Sequence, residues 1–134
     1  MKAFFSKTFD FNKKPNFITV LWFLVPFIAL IIEGLRGDAF INNYLIFKQV
    51  FWHTLHQENL YQLYPEQYVD KNHYGPLFAV LIAPFAILPN YLGLLLWGML
   101  NVSLLFYAVG KLSISFWGKN IILLISLIET LTSI

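Results

Sequence analysis

Two long apolar runs constrain the fold of this chain more than any other feature. Phe17–Ile32 is a run of sixteen uncharged, mostly apolar residues, and Tyr91–Leu112 covers twenty-two residues with no charge before Lys111. At 1.5 Å per residue, the first run covers about 24 Å as a helix and needs its flanks to span a hydrocarbon core of about 30 Å, whereas the second covers about 33 Å. Both runs are predicted to be transmembrane helices.

Composition excludes an ordinary soluble domain. Hydrophobic residues make up 58% of the chain and charged residues only 12%, compared with roughly 45–50% and 25% in soluble globular proteins. The chain has no cysteine, which excludes disulfides and thiolate metal sites. A net charge of +2 is too small to indicate a nucleic-acid partner, so the expected partners are membrane lipids and other membrane helices.

The start of the chain has two interpretations, because a basic segment before an apolar run also describes a secretory signal peptide. The residues that close the run, Ile31 to Gly34, offer no small-x-small cleavage site, which favours a retained anchor. Lys111 and Lys119 are evidence against a cytoplasmic N-terminus, because that orientation places both lysines on the outer side of the membrane. The basic segment nevertheless predicts a protein of the cell membrane with its N-terminus in the cytoplasm, by the positive-inside rule. The basic residues of this segment are Lys2, Lys7, Lys13 and Lys14.

A polar segment, residues 36–73, separates the two runs and is predicted to be a loop on the outer side. Within it, mostly apolar residues recur every three to four positions and would form one face of a helix. This spacing predicts an amphipathic helix that lies in the membrane interface. The Lys48 side chain would extend to the headgroups, and Asp38 is in position to cap the N-terminus of the helix. The face consists of Ile41, Tyr44, Leu45, Lys48, Phe51, Trp52 and Leu55.

Two further helices complete the predicted fold. A short apolar segment at about 74–88 forms a hairpin with the helix at about 91–112 through Pro89 and Asn90, and a fourth helix covers about 117–134. With the first helix at about 15–35, they predict an all-α, multi-pass membrane protein. Glu129 lies in the fourth apolar segment without a visible partner, which indicates that residues 1–134 are the N-terminal part of a longer membrane domain.

Motifs of familiar soluble enzymes are absent from the chain, which contains no P-loop, GxGxxG, HExxH or GxSxG. His53 and His56 lie three residues apart with Glu58 nearby, but a metal site needs at least three ligands. In an interfacial helix, both imidazoles are expected to face headgroups or water. No metal site is therefore predicted.

Several short motifs occur in a fixed order along residues 36–101. They are Asn43-Tyr-Leu-Ile-Phe47, Asn59-Leu-Tyr61, Tyr74-Gly-Pro-Leu-Phe-Ala79, Ala83-Pro-Phe85, Leu88-Pro89, and Leu96-Trp97 with Asn101. Their order and spacing together resemble glycosyltransferase family 87, a family of membrane enzymes in the GT-C superfamily. The resemblance implies an enzyme that transfers a sugar, mannose in the best-known members, from a polyprenyl-phosphate carrier to an acceptor reached from the outer face.

The resemblance also implies how the substrates are held. No cofactor and no nucleotide site are expected, because the lipid carrier replaces the nucleotide. Lys48, Lys71 or His73 would meet the donor phosphate. Tyr61 and Tyr74 would stack on the sugar or, as an alternative, lie in the headgroup belt where tyrosine is common.

The resemblance implies that the loop after the first helix opens with an aspartate, and that a Leu-Tyr or Pro-Tyr follows eighteen residues after it. Counting back eighteen residues from Tyr61 gives Asn43, so an amide stands at the position of the family's acid. Asparagine cannot take the proton from an attacking hydroxyl, as a carboxylate does. Asp38 is the nearest substitute. Asp70, which precedes the Tyr-Gly-Pro motif, is the second candidate, with a solvated ion pair with Lys71 as its alternative.

Two functions therefore remain open. The first is a membrane glycosyltransferase of this type, expected to be inactive as 134 residues alone because a closed cavity and the acid at the expected place are missing. The second is a non-catalytic membrane protein or scaffold subunit that packs against partner helices, which Asn43 favours. The sequence beyond residue 134 would distinguish them.

Overall fold

The computed structural model of the protein describes residues 16–133, and all regular secondary structure among them is helical. The all-α fold class is confirmed over this range. The ends of the four helices that match the predicted apolar segments lie within two residues of the predicted ranges. The four N-terminal lysines lie outside the described residues. The elements are α1 (Phe17–Arg36), a 3₁₀ turn (Asp38–Phe40), α2 (Asn42–Leu55), α3 (Pro76–Ala86), α4 (Asn90–Lys111) and α5 (Phe116–Ser133).

Local sequence explains where several helices begin and end. Asn16 precedes α1, and its Oδ1 accepts the backbone N–H of Thr19 at 2.7 Å, which caps the first turn. Pro76 begins α3, where the missing N–H leaves no helical hydrogen bond unmade. Gly37 follows α1 with φ at +97°, a left-handed conformation that glycine adopts with little strain.

The described residues divide into two compact units, and the first contains residues 16–29 and 99–133. Trp22 lies at its centre, only 1% exposed, and its Nε1 donates a hydrogen bond to the backbone carbonyl of Val102 at 3.1 Å. Val102, Val109 and Leu123 are buried in the same cluster. The first unit therefore joins parts of α1 and α4 with α5 through one apolar core.

The second unit, Leu30–Gly98, contains every candidate site residue. Here α2 packs along α3, and its buried face includes Ile46, Val50 and His53. Of the predicted apolar face, Ile41 and Tyr44 are buried within the protein and Leu55 is 58% exposed, and the placement of α2 in a membrane interface stays a prediction. A sequence pattern shows which residues are apolar, but the neighbouring helix α3 and the segment after α2 decide which side is covered.

Two helices among the described residues are long and apolar enough to cross a membrane, α1 and α4. Only 17% of the apolar window of each helix is buried inside the protein, whereas the core helix of a soluble protein is apolar and buried all round. The shorter α3 is also apolar, with eleven residues. This exposed apolar surface is typical of a membrane protein.

Glu129 in α5 does not lack a partner, so the prediction of an isolated carboxylate is wrong. A sequence cannot show such a partner, because it depends on which groups the fold brings within reach.

Candidate functional site

Side chains of α2 hold the turn between α3 and α4. The Tyr44 hydroxyl donates a hydrogen bond to the backbone carbonyl of Phe85 at 2.9 Å. Lys48 Nζ donates to the carbonyl of Leu88 at 2.9 Å and to Oδ1 of Asn90 at 2.7 Å. The Phe85 carbonyl belongs to the last turn of α3 and the Leu88 carbonyl follows it in the turn, where helical donors run out. The Lys48 ammonium is therefore bound within the protein. The prediction that it extends to the headgroups is wrong.

Asp38 joins this turn through Asn90, whose Nδ2 donates to Oδ2 of Asp38 at 2.9 Å. The predicted capping role of Asp38 is wrong, because the residue before α2 is Ile41, which makes no side-chain cap. Asp38 instead begins the 3₁₀ turn that precedes α2, and its exposed carboxylate contacts Asn90 at the start of α4. We call Asp38, Tyr44, Lys48 and Asn90 the turn cluster.

Burial and charge act together on the ionisable groups of the turn cluster. Burial lowers the pKa of the Lys48 ammonium, and the nearby Asp38 carboxylate acts in the opposite direction. Burial raises the pKa of Tyr44 to about 12. The Tyr44 phenol therefore keeps its proton at neutral pH and can donate a hydrogen bond to the Phe85 carbonyl.

Gly93 allows α4 to approach the turn cluster. A Cβ at this position would lie 2.6 Å from the backbone oxygen of Phe85 and would clash with the Tyr44 hydroxyl. Glycine is therefore required by close packing. Sequence reasoning missed this role, although a glycine inside a helical pattern often marks a close backbone approach.

Aromatic rings from α2, α3 and α4 form a second group beside the turn cluster. The ring centroid of Phe47, the neighbour of Lys48 in α2, lies 5.0 Å from Tyr74, 5.2 Å from Phe78 and 6.2 Å from Trp97. Tyr74 also packs against Phe78 at 4.7 Å. These contacts fix the Tyr74 ring while leaving the residue 39% exposed. Stacking of a sugar on Tyr74 stays a prediction.

The remaining candidate residues lie on the surface of the second unit. The Asp70 carboxylate accepts the backbone N–H of its neighbour Lys71 at 2.7 Å, which is a local turn contact. The Tyr61 hydroxyl lies close to Gly75 of the Tyr-Gly-Pro motif. Roles in catalysis or substrate binding stay predictions for the exposed residues Asn43, Tyr61, Asp70, Lys71 and His73.

His53 is buried, and the prediction that it faces headgroups or water is wrong. It is 2% exposed, with Nε2 2.8 Å from Oε1 of Gln67 and 3.5 Å from Oε2 of Glu58. The segment after α2 folds back over it, and the Tyr64 ring lies 4.0 Å away. A polar partner within this segment allows the imidazole to be buried. His56 is exposed, and among residues 16–133 no three metal-ligating side chains are grouped to hold a metal.

Asn72 is a buried polar residue that sequence reasoning missed. It is 3% exposed, and its Nδ2 donates to the carbonyls of Leu60 and Tyr74 at 3.0 and 2.9 Å. Its Oδ1 accepts the backbone N–H of Tyr74 at 2.8 Å. An asparagine two residues before a turn motif is the signal that could have indicated it. Asn72 sets the backbone that presents the Tyr-Gly-Pro motif.

Comparison with known protein families suggests a glycosyltransferase-like function. The sequence model of glycosyltransferase family 87 matches residues 72–133, a little under half of the chain. This match confirms the resemblance to family 87 that the motifs indicate. It begins at Asn72 and does not include the part of the pattern around Asn43 and Tyr61. No curated protein sequence and no solved structure gives a match.

Proposed function

We propose that this protein is a multi-pass membrane glycosyltransferase that moves a hexose, such as mannose, from a polyprenyl-phosphate carrier to an acceptor outside the cytoplasm. The family match over residues 72–133 supports the reaction class, and the exposed apolar helices α1 and α4 support the location. The observation that most supports a catalytic site is the turn cluster. It holds an exposed carboxylate beside an ammonium group at the hairpin where the matched segment folds.

The reaction needs one base. The acceptor oxygen forms a bond to C1 of the sugar while the bond from C1 to the phosphate oxygen breaks, and the electron pair leaves on the polyprenyl phosphate. The hydroxyl proton passes to a carboxylate. Asp38 suits this role better than Asp70, because Asn90 holds its Oδ2 while no described residue donates a hydrogen bond to its Oδ1. Asp70 instead accepts the backbone N–H of its neighbour Lys71 in a local turn.

Positive groups near the carboxylate would stabilise the leaving phosphate. An ammonium has three N–H donors, and two of those on Lys48 are used within the turn. Lys48 therefore retains one donor as well as its charge. The exposed side chains of Lys71 and His73 are the proposed further contacts of the phosphate.

The proposed topology places residues 36–73 outside the cytoplasm and the N-terminus inside. Because the chain has no cysteine, a cysteine in place of the exposed Glu66 reports its side of the membrane without interference. We expect labelling by an impermeant thiol reagent in whole cells, and labelling of a cysteine at Lys7 only after permeabilisation. The reverse pattern would invert the topology.

Residues 1–134 by themselves are proposed not to complete the reaction, because catalysis needs a closed, preorganised site. The test supplies radiolabelled polyprenyl-phosphate sugar and a crude acceptor extract to the purified chain in lipid. Any longer form encoded by the same reading frame is assayed in parallel. In the active form, Asp38→Asn should lower turnover about 10²- to 10⁴-fold.

Asp70→Asn is the matched control for this experiment and should leave turnover nearly unchanged. If the two variants behave in the opposite way, Asp70 is the base. Turnover by residues 1–134 alone would refute the proposed inactivity. Failure of every form to transfer sugar would count against the enzyme itself.

A further inference from the structure

Asn90 occupies a position between two opposite charges. It is the first residue of α4, directly after Pro89. Its side-chain amide lies 2.7 Å from Lys48 Nζ and 2.9 Å from Asp38 Oδ2. Asp38 and Asn90 are 52 residues apart in the chain, so the fold alone creates this arrangement.

The two neighbours fix the orientation of the Asn90 amide. An ammonium can only donate hydrogen bonds, and an ionised carboxylate can only accept them. The amide oxygen must therefore face Lys48, and the amide nitrogen must face Asp38. With the amide reversed, both contacts would be lost.

The three residues differ in how firmly they are held. Lys48 is partly buried and also bound to the Leu88 carbonyl, and the Asn90 backbone belongs to α4. Asp38 is exposed and lies on a short 3₁₀ turn that follows the left-handed Gly37. Among the described residues, Asn90 is the donor that restricts the Asp38 carboxylate. The Lys48 charge polarises the amide and strengthens its donation to Asp38.

From this geometry we propose that Asn90 is a positioning residue, which links Asp38 to the fixed Lys48 and thereby presents Oδ1 of Asp38 to the acceptor hydroxyl. The proposal rests on the proposed function in one respect, the assignment of Asp38 as the base. It assigns Asn90 no contact with the substrate. The structural part of the proposal is the coupling between Lys48 and Asp38 through Asn90, and it can be tested without measuring turnover.

The first experiment follows the titration of Lys48 by NMR in protein labelled with ¹³C-lysine, with Lys48→Arg to assign the signal. Asp38→Asn should lower the pKa of Lys48, because it removes the carboxylate that opposes the effect of burial. The same change made in an Asn90→Leu background should have a clearly smaller effect, since the unrestrained Asp38 side chain turns to solvent. An equal effect in both backgrounds would overturn the coupling.

The second experiment separates positioning from support of the turn. Asn90→Asp retains an oxygen for Lys48 but cannot donate to Asp38 once ionised, so it preserves one contact and removes the other. In the active form, we expect kcat to fall about 10-fold or more with the KM for the donor unchanged. Thermal unfolding in detergent should show a smaller loss of stability than Asn90→Leu.

The possible results keep the two proposals apart. If Asp38→Asn does not reduce turnover, the assigned base is wrong, whatever Asn90 does. If Asp38→Asn abolishes turnover while Asn90→Asp leaves kcat unchanged, the base stands and the positioning role is refuted. We expect kcat to fall in both Asp38→Asn and Asn90→Asp. We also expect the effect of Asp38→Asn on the pKa of Lys48 to depend on Asn90.

Discussion

The polar sites at the two halves of α2 differ in their exposure to solvent. At its N-terminal half, Lys48 joins a turn cluster that contains the exposed carboxylate of Asp38. At its C-terminal half, His53 is 2% exposed and is covered by Tyr64 and the neutral amide of Gln67. Proton transfer needs contact between substrate and the reacting atom. Exposure therefore makes the turn cluster the candidate for chemistry, whereas the closed His53 site stabilises the loop after α2.

Tyr68 reinforces the structural interpretation of the His53 site. It is 3% exposed, and its hydroxyl has no hydrogen-bond partner among the described residues. Burial raises the pKa of Tyr68, and the neighbouring Tyr64 acts in the same direction, so the phenol stays neutral. The ring contacts with His53 and Tyr64 are therefore what this site preserves.

The largest effect on the turn cluster is expected from Gly93→Ala. The added Cβ would clash with Tyr44 and with the Phe85 backbone, and separation of α4 from α2 should cost about 3 kcal/mol. The measurement is thermal unfolding in detergent. Gly34→Ala is the control, because its nearest neighbour would lie 3.4 Å away. Equal destabilisation by both substitutions would show that Tyr44 does not depend on this close approach.

A smaller loss is expected at the other half of α2 from His53→Leu. The substitution replaces the imidazole by an apolar side chain of similar size and removes the 2.8 Å hydrogen bond to the exposed Gln67, which should cost about 1.5 kcal/mol. Cleavage of residues 57–75 by a protease should become faster in step with the lower unfolding temperature. His56→Leu is the matched control at an exposed position, with an expected change within about 0.5 kcal/mol. A strong loss of sugar transfer with unchanged stability would instead make His53 a functional residue.

The smallest effect is expected from Tyr44→Phe, which removes one hydrogen bond of 2.9 Å to Phe85 and should cost about 1 kcal/mol. Its pH dependence is more informative. Because the pKa of Tyr44 is raised to about 12 from about 10 in an unfolded chain, the unfolded state loses this proton first. Stability from this effect is fully present below pH 10 and is lost as the pH rises to 12.

Measurements of unfolding between pH 9 and 12 test this expectation. The wild-type chain should lose more stability than Tyr44→Phe over this interval. Parallel curves for the two proteins would mean that the Tyr44 phenol ionises as freely in the folded chain as in the unfolded one.

The sequence by itself determined the helices, since apolar runs, Pro76 and the Pro89-Asn90 turn place α1, α3 and α4 within two residues of their observed ends. It also indicated the resemblance to glycosyltransferase family 87, because the ordered motifs from Tyr74 onward lie inside the matched segment. These features are local: helix formation and chain turns depend on residues a few positions apart.

Only the tertiary structure decided what the polar residues do. Asp38 has the sequence position of a helix cap, yet its partner Asn90 lies 52 residues away. His53 has the position of a surface histidine, yet Gln67, fourteen residues later, closes over it. A hydrogen bond depends on distance and direction in space and on exclusion of water, and for these residues those conditions arise only when α2, α3 and α4 have packed.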